Sequence, residues 1–440
     1  MNPINAYAPN LPARTDRLQS IREQFMGRKE FCLHVVSPIQ HEVPAYSLWK
    51  TFVECVRKEK ENNSEYFLFC EDDHVFTADY SWETLSKRIA EARALGADIL
   101  SGGVGWYAEP LQVRSNLFWL DKFNAMQFTI IFSGFYDKIL ATAKDSDGFI
   151  LDWKLSEMSE QIYCIYPVIS KQKEFGYSDL SEQNGKEGFL SKAFEGVSYR
   201  LFLLNKVRNH FLRIPKYNVS QDAIPQDIQI PTYIINLPDR IDRKQHMQKE
   251  FENRKEFDIH FFPAIRTKRG ADGLWQSIYS IVKTASENNS DVIIICEDDH
   301  IFTADYNREN FLQDVIEAGQ QGCQLLLGGV ANFNTLVPVS ARRWWLSWSW
   351  STQFMVLFKS SFKEILSSHF GENDAADIFL SEILTHKQVL WPFVSVQKEF
   401  GYSDVTDTNN TPGFVTSHFQ KSINRLYHLN QQRHRGAIAN

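Results

Sequence analysis

Val292-Ile293-Ile294-Ile295-Cys296-Glu297-Asp298-Asp299-His300 is the stretch that decides how this chain folds. Five apolar residues in a row read as a strand buried on both faces, and the three carboxylates mark where it leaves the sheet. The motif also stands earlier, as Cys70-Glu71-Asp72-Asp73-His74. An apolar residue follows each copy, then Phe76-Thr77-Ala78-Asp79-Tyr80 in one and Phe302-Thr303-Ala304-Asp305-Tyr306 in the other. Glu71 and Glu297 are 226 positions apart. A repeat of this length sets the domain plan before any secondary structure is argued.

Outward from the acids, the same spacing pairs Asn10-Leu11-Pro12 with Asn236-Leu237-Pro238, Arg14 with Arg240, and Asp16-Arg17 with Asp242-Arg243. It also pairs Trp49 with Trp275, Gly102-Gly103-Val104 with Gly328-Gly329-Val330, and Gln127-Phe128 with Gln353-Phe354. Beyond Leu140 the spacing is 225, which matches Asp152 and Glu157 to Asp377 and Glu382, and the run Gln172 to Asp179 to the run Gln397 to Asp404. Phe194, Arg200, Leu201 and Leu204 answer Phe419, Arg425, Leu426 and Leu429. Two duplicated domains are expected, at residues 5–210 and 231–435. A linker at 211–230, with Pro215 and Pro225, joins them.

In the second copy the pattern predicts strands over Thr232–Asn236, Asp258–Phe262, Val292–Cys296 and Gln324–Gly328. Helices are predicted over Arg240–Arg254, Leu274–Glu287 and Arg308–Ala318. Strands alternating with helices predict an α/β fold, each domain a mainly parallel Rossmann-like sheet covered by helices. Such sheets bind ligands at the carboxyl ends of their strands, where the acids fall.

Composition excludes several classes. Of the 440 residues, 43% are hydrophobic and 23% charged, as in folded globular proteins. A net charge of −7 argues against nucleic acid as a partner. The six cysteines form no Cys-x-x-Cys pair and are expected to be reduced and buried. The first residues lack a secretion-signal pattern and no apolar run nears the ~20 residues of a membrane span, so a cytoplasmic protein is expected. Between Ser191 and Arg213, Phe194, Val197, Leu201 and Leu204 recur at helical spacing among Lys192, Arg200, Lys206 and Arg208. That stripe either packs on its own domain or touches the inner membrane face. Oligomeric state leaves no mark in the sequence.

Three adjacent carboxylates repel one another, and a hard divalent cation, Mn²⁺ or Mg²⁺, offsets this while completing its shell with a ligand's phosphates. The bland alternative is a solvated loop. His74 and His300 are candidates for a ligand, for hydrogen bonds to the acids, or for a structural role. Arg14, Arg17, Arg240 and Arg243 carry guanidinium forks suited to phosphate, or lie on a helix surface. The Gln-Lys-Glu-Phe-Gly-Tyr-Ser-Asp run mixes a cation, an acid and aromatics around a glycine, and suits a loop closing over a ligand. Asp152 and Asp377 are the candidate general bases for an acceptor hydroxyl, with helix capping the alternative. Trp344, Trp345, Trp348 and Trp350 suit either sugar rings or the core.

Tyr233-Ile234-Ile235-Asn236-Leu237-Pro238-Asp239-Arg240, then Asp242-Arg243, then an apolar strand ending in Glu-Asp-Asp, resembles glycosyltransferase family 25. That family contains lipopolysaccharide-synthesis transferases and collagen galactosyltransferases. The resemblance implies GT-A-like domains, a UDP-sugar donor (often UDP-galactose), Mn²⁺ (or Mg²⁺) at the acidic motif, and hexose transfer to a hydroxyl of a glycan, lipid or protein. It makes Asp73 and Asp299 the first metal ligands, with Glu71, Asp72, Glu297 and Asp298 contacting metal, ribose or water. Asn10, Arg14, Arg17, Asn236, Arg240 and Arg243 then lie near the nucleotide. His418 stands where some GT-A enzymes have a metal-binding histidine, and its counterpart is Ala193. Pro9 replaces Ile235 and Ala13 replaces Asp239, so the first copy is the one expected to be degenerate. Two working sites would add two sugars in succession. The competing readings are a metal-dependent phosphoryl-transfer or hydrolytic enzyme, and a glycan-binding scaffold with one or both sites inactive.

Overall fold

The computed structural model describes residues 3–142, 150–177, 183–214, 224–402 and 410–438. Residues 215–223 of the expected linker, with Pro215, and Ser178-Asp179 and Ser403-Asp404 of the late motif, lie outside the described residues. The chain forms two compact units, Met1–Lys206 with Leu429–Asn440, and Val207–His428. Their boundaries fall inside the two long helices Phe189–Arg213 and Phe414–Ile438.

Each unit is an α/β domain with a Rossmann-like eight-stranded sheet. In the second the order is Phe257–Pro263, Ile230–Asn236, Val292–Glu297, Phe354–Phe358, Leu325–Leu327, Lys387–Leu390, Arg343–Leu346, Leu336–Pro338. The first sheet has the same order in its counterpart strands. The expectation of a mainly parallel sheet needs correction, because both sheets are mixed. Ile230–Asn236 pairs in parallel with Phe257–Pro263 and Val292–Glu297, and Leu325–Leu327 with Lys387–Leu390. The other four pairings are antiparallel. After Gly328 the chain runs through short aromatic strands and re-enters as Phe354–Phe358, between two strands that run the other way.

The strand Val292–Glu297 carries the fold as its sequence implies: Ile293, Ile294, Ile295 and Cys296 are all fully buried. Helix Gly270–Glu287 buries Trp275, Ile278, Ile281, Val282 and Ala285, spaced three and four apart. It begins four residues before Leu274, the expected start. A glycine-rich first turn has low helix propensity, but here it packs on backbone: a Cβ on Gly273 would stand 2.2 Å from the Ile265 carbonyl oxygen. Ser81 and Asn307 cap the helices Trp82–Ala94 and Arg308–Gln320 through their side-chain oxygens.

All six cysteines are unpaired; five are buried and Cys32 is partly so. Phe194, Val197, Leu201 and Leu204 are buried, so this stripe packs inside the protein and is not open to a membrane surface. Among the described residues no helix is long and apolar enough to cross a membrane.

Candidate functional site

The acidic motif is held in a frame that both copies share. Glu297 ends its strand, Asp298 and Asp299 turn, and His300–Phe302 then pairs antiparallel with Ser395–Gln397. His74–Phe76 and Ser170–Gln172 form the same ribbon in the first copy. This explains why the acids and the late Gln-Lys-Glu-Phe-Gly-Tyr run repeat together. The ribbon sets Gln397 beside Asp299, with Nε2 3.4 Å from Oδ1, and starts the late loop at the mouth of the site.

The middle acid is structural. Asp298 accepts from Arg243 Nη1 at 2.7 Å and from Asn236 Nδ2 at 2.8 Å. Asp72 accepts from Arg17 Nη1 at 2.7 Å and from Asn10 Nδ2 at 2.9 Å. Arg243 also donates from Nη2 to the Tyr402 carbonyl at 2.8 Å and from Nε to the Tyr402 hydroxyl at 3.1 Å. The late loop thus closes over the arginines: Phe400 and Tyr402 lie under Arg243, and Tyr402 under Arg240. Arg14 and Arg17 sit the same way on Tyr177. The side chains of Asn10, Asn236, Arg17 and Arg243, the residues expected near a nucleotide, hold Asp72 and Asp298, and Arg17 and Arg243 also line the two cavities. A buried carboxylate needs such partners, and the nearest cations supply them.

The outer acids are held more loosely. Asp299 Oδ2 is 3.7 Å from Arg243 Nη1. Glu297 accepts from the Thr352 hydroxyl. Burial, with Asp298 adjacent, pushes Asp299 up to about 6. Burial, then Asp299, pushes Glu297 up to about 8. Burial also raises Asp377, whose Oδ1 and Oδ2 accept from the Ile378 and Ser351 backbone N–H groups at 2.8 and 3.1 Å. Ser351 has φ +105° and its counterpart Ala125 +81°. Asp152 holds the Ala125 N–H at 2.7 Å in the same way. A strained, non-glycine backbone position tied to a buried acid in both copies is a feature sequence reasoning missed.

These groups meet in a cavity of about 630 Å³. Glu297, Asp299, Asp377 and His418 line it together with Trp350 and Thr352. Arg266, Thr267, Gly270 and Ala271, at the start of helix Gly270–Glu287, form a further wall of it. That wall was also missed, because the helix was expected to start later; the cationic run Arg266 to Arg269 before an amphipathic helix was the available signal. His418 Nδ1 lies 2.8 Å from the Phe414 carbonyl oxygen. A carbonyl only accepts, so Nδ1 carries the proton and the neutral ring keeps its lone pair on Nε2. Among the described residues no three His, Cys, Asp or Glu side chains are grouped closely enough to hold a metal ion alone.

The histidines of the acidic motif belong to the core. His74 and His300 are fully buried, and their Nδ1 atoms pair with the Ser170 and Ser395 hydroxyls at 2.8 and 2.7 Å. Contact with a metal or the acids is therefore corrected for both. Gly103 and Gly329 explain the repeated Gly-Gly-Val: a Cβ there would stand 2.2 and 2.1 Å from the Ser170 and Ser395 carbonyl oxygens. Of the tryptophans, Trp344 is core and Trp350 lines the cavity.

The first copy has a cavity of about 810 Å³ at the same place, lined by Glu71, Asp73, Arg14, Gln172, Phe175 and Tyr177 among others. Its wall carries Gln40, His41, Glu42 and Pro44 where the second has Arg266, Thr267, Lys268 and Gly270.

Residues 229–280 match glycosyltransferase family 25 (LPS biosynthesis protein). The matched stretch holds Asn236, Arg240, Arg243 and the helix-start wall, and ends before the acids. No curated protein matches the chain. Among solved structures, the crystal structure of A197 from STIV is similar over 39% of this chain and 86% of its own, at 11% identity and a TM-score of 0.26. The crystal structure of apo UDP-glucose pyrophosphorylase is similar over 44% of this chain and 80% of its own, at 10% identity and a TM-score of 0.26. The likeness to glycosyltransferase family 25 thus lies in the stretch 229–280 of the second domain.

Proposed function

We propose that the second domain is a metal-dependent GT-A-type glycosyltransferase that moves a hexose, galactose by expectation, from a UDP-sugar to a hydroxyl of a glycan, lipid or protein. The observation that carries this is the meeting of Glu297, Asp299, Asp377 and His418 in one cavity that is also lined by a helix start flanked by Arg266. Backbone N–H groups at a helix start, with the helix dipole behind them, favour a diphosphate. Asp377 is anchored by two backbone donors, and burial raises its basicity, as suits a base that takes the acceptor hydroxyl's proton.

Asp299 and His418 would hold a divalent cation. The fit rests on the loosely held Asp299 carboxylate and on the Nε2 lone pair of His418, whose Nδ1–H is committed to a backbone carbonyl. With so few protein ligands, donor phosphates and water would complete the shell. When bound, such a cation supplies positive charge that offsets the leaving diphosphate.

The test is UDP release from a panel of UDP-sugars with Mn²⁺, with and without chelator, for the intact chain, Asp299→Ala and Asp73→Ala. Metal-dependent release that is lost in Asp299→Ala and kept in Asp73→Ala is the expected result. Metal-independent release, or no release together with no nucleotide-sugar binding, sinks the assignment.

A further inference from the structure

The two cavities differ where a diphosphate would be held. The second has cations at 266, 268 and 269 and Gly270 at the helix start. The first has Gln40, Glu42 and Val43, and its helix Pro44–Glu61 opens on Pro44. Three positive side chains are replaced by one neutral, one negative and one apolar, and proline has no N–H to offer an anion. The wall that suits phosphate in the second domain is unsuited to it in the first.

What the first domain has instead is an aromatic platform. Trp106 and Trp153 are 38% and 43% exposed, and their rings are stacked, with centroids 5.6 Å apart and planes 15° from parallel. The counterparts in the second domain are Asn332 and Ile378, so the platform is peculiar to the first copy. Its position is equally specific. Trp106 pairs across the ribbon with Asn124, next to the strained Ala125 whose N–H Asp152 holds. Trp153 follows Asp152 and gives that acid its other backbone donor at 2.8 Å. The platform therefore flanks the counterpart of the Asp377–Ser351 corner. Stacking covers one side of each ring and Lys122 Nζ lies 6.0 Å from the Trp153 centroid, yet indole surface is left in water, which costs free energy and suits packing by the CH face of a sugar ring. An acid beside such a face accepts from sugar hydroxyls, and Asp152, adjacent to Trp153 in the chain, is only partly buried there.

We propose that the first domain is a saccharide-binding site that takes no nucleotide: it holds a neutral glycan on Trp106 and Trp153, its hydroxyls directed to Asp152 beside them. This rests on the reading of the second domain as the transferase only for its consequence, that the chain would hold an acceptor glycan while the other domain consumes the donor.

The test uses the full chain. Saturation-transfer NMR with galactose, glucose, N-acetylglucosamine and lactose reads saccharide binding, and calorimetry with UDP and Mn²⁺ reads nucleotide binding. At least one saccharide should show transfer that falls tenfold or more in Trp153→Ala and in Trp106→Ala and largely survives in Trp153→Phe. UDP should bind once per chain, unaffected by these changes and lost in Arg266→Ala/Asp299→Ala. Because both tryptophans are solvent-exposed, unchanged thermal melting would show that the variants fold. Two UDP molecules per chain, no transfer to any saccharide, or transfer indifferent to both tryptophans would overturn the proposal. Saccharide transfer without any UDP binding would leave it standing and overturn the transferase reading alone.

Discussion

Arg243 Nη1 stands 2.7 Å from Asp298 Oδ1, and Arg17 repeats the contact on Asp72 at the same distance. All four side chains are largely buried, so neither charge can be left alone cheaply. Removing one partner of a buried pair typically costs ~3–5 kcal/mol. Arg243→Met should therefore destabilise the second domain by about that much, because Asp298 keeps only Asn236. Urea denaturation would measure it. Adding Asp298→Asn to the same chain should recover most of the loss, since the uncompensated charge goes with it. A single-variant loss below ~1 kcal/mol would mean that the arginine is not what holds the middle acid.

Ser351 supports a second prediction. Its φ of +105° lies where only glycine is at ease, and non-glycine residues there carry ~1–3 kcal/mol of strain. Ser351→Gly should raise stability by ~1 kcal/mol, part of the relief being offset by a freer unfolded chain. If the strain serves to aim the N–H at Asp377, kcat should fall in the same variant while KM changes little. Loss of stability in Ser351→Gly would show that the serine hydroxyl, which accepts from the Ala331 N–H at 3.1 Å, matters more than the backbone.

Much of this was legible in the sequence because the duplication does the work of an alignment. Apolar runs such as Val292–Cys296 show where strands are, and the repeated acids show which sheet edge matters. Strand direction was not legible: nothing in Phe354–Phe358 says that it enters antiparallel, since a buried strand looks the same read either way. The role of Asp298 was equally hidden. Three consecutive carboxylates look alike on paper, and only the fold brings Arg243 and Asn236 to the middle one. The helix start at Gly270 was missed because glycine argues locally against helix, while its real constraint is the nearby Ile265 carbonyl.

The raised carboxylates give the metal site a definite pH dependence. Asp299 is pushed up to about 6 and Glu297 to about 8, so both hold protons under conditions where ordinary carboxylates do not. A cation must displace those protons, and Mn²⁺ affinity in the presence of UDP should climb from pH 5.5 to 8 and level off above. Each displaced proton contributes up to a ~10-fold gain per pH unit. Calorimetry in two buffers of different ionisation enthalpy would also count the protons released. Affinity that is flat from pH 5.5 to 8.5 would exclude these carboxylates from the metal's shell.

The buried histidines make the fold sensitive to acid. Burial, with Arg28 nearby, pushes His74 down to about 3, and burial together with His246 and Arg254 pushes His300 well below its ordinary range. Unfolding frees each ring to take a proton at its usual pKa near ~6.5. Between those values the unfolded chain binds more protons than the folded one, so their contribution is complete above ~6.5 and is lost as pH falls, by up to ~1.4 kcal/mol per unit for each histidine. His74→Gln removes that titration from the first domain and His300→Gln from the second. Each variant will be less stable at neutral pH, since a ring packed against Phe76 or Phe302 is lost. The informative quantity is therefore the slope of stability with pH, measured by urea denaturation from pH 7 to 4.5. The slope should be shallower in either variant than in the parent, and parallel slopes would show that the buried imidazoles already titrate normally in the folded protein.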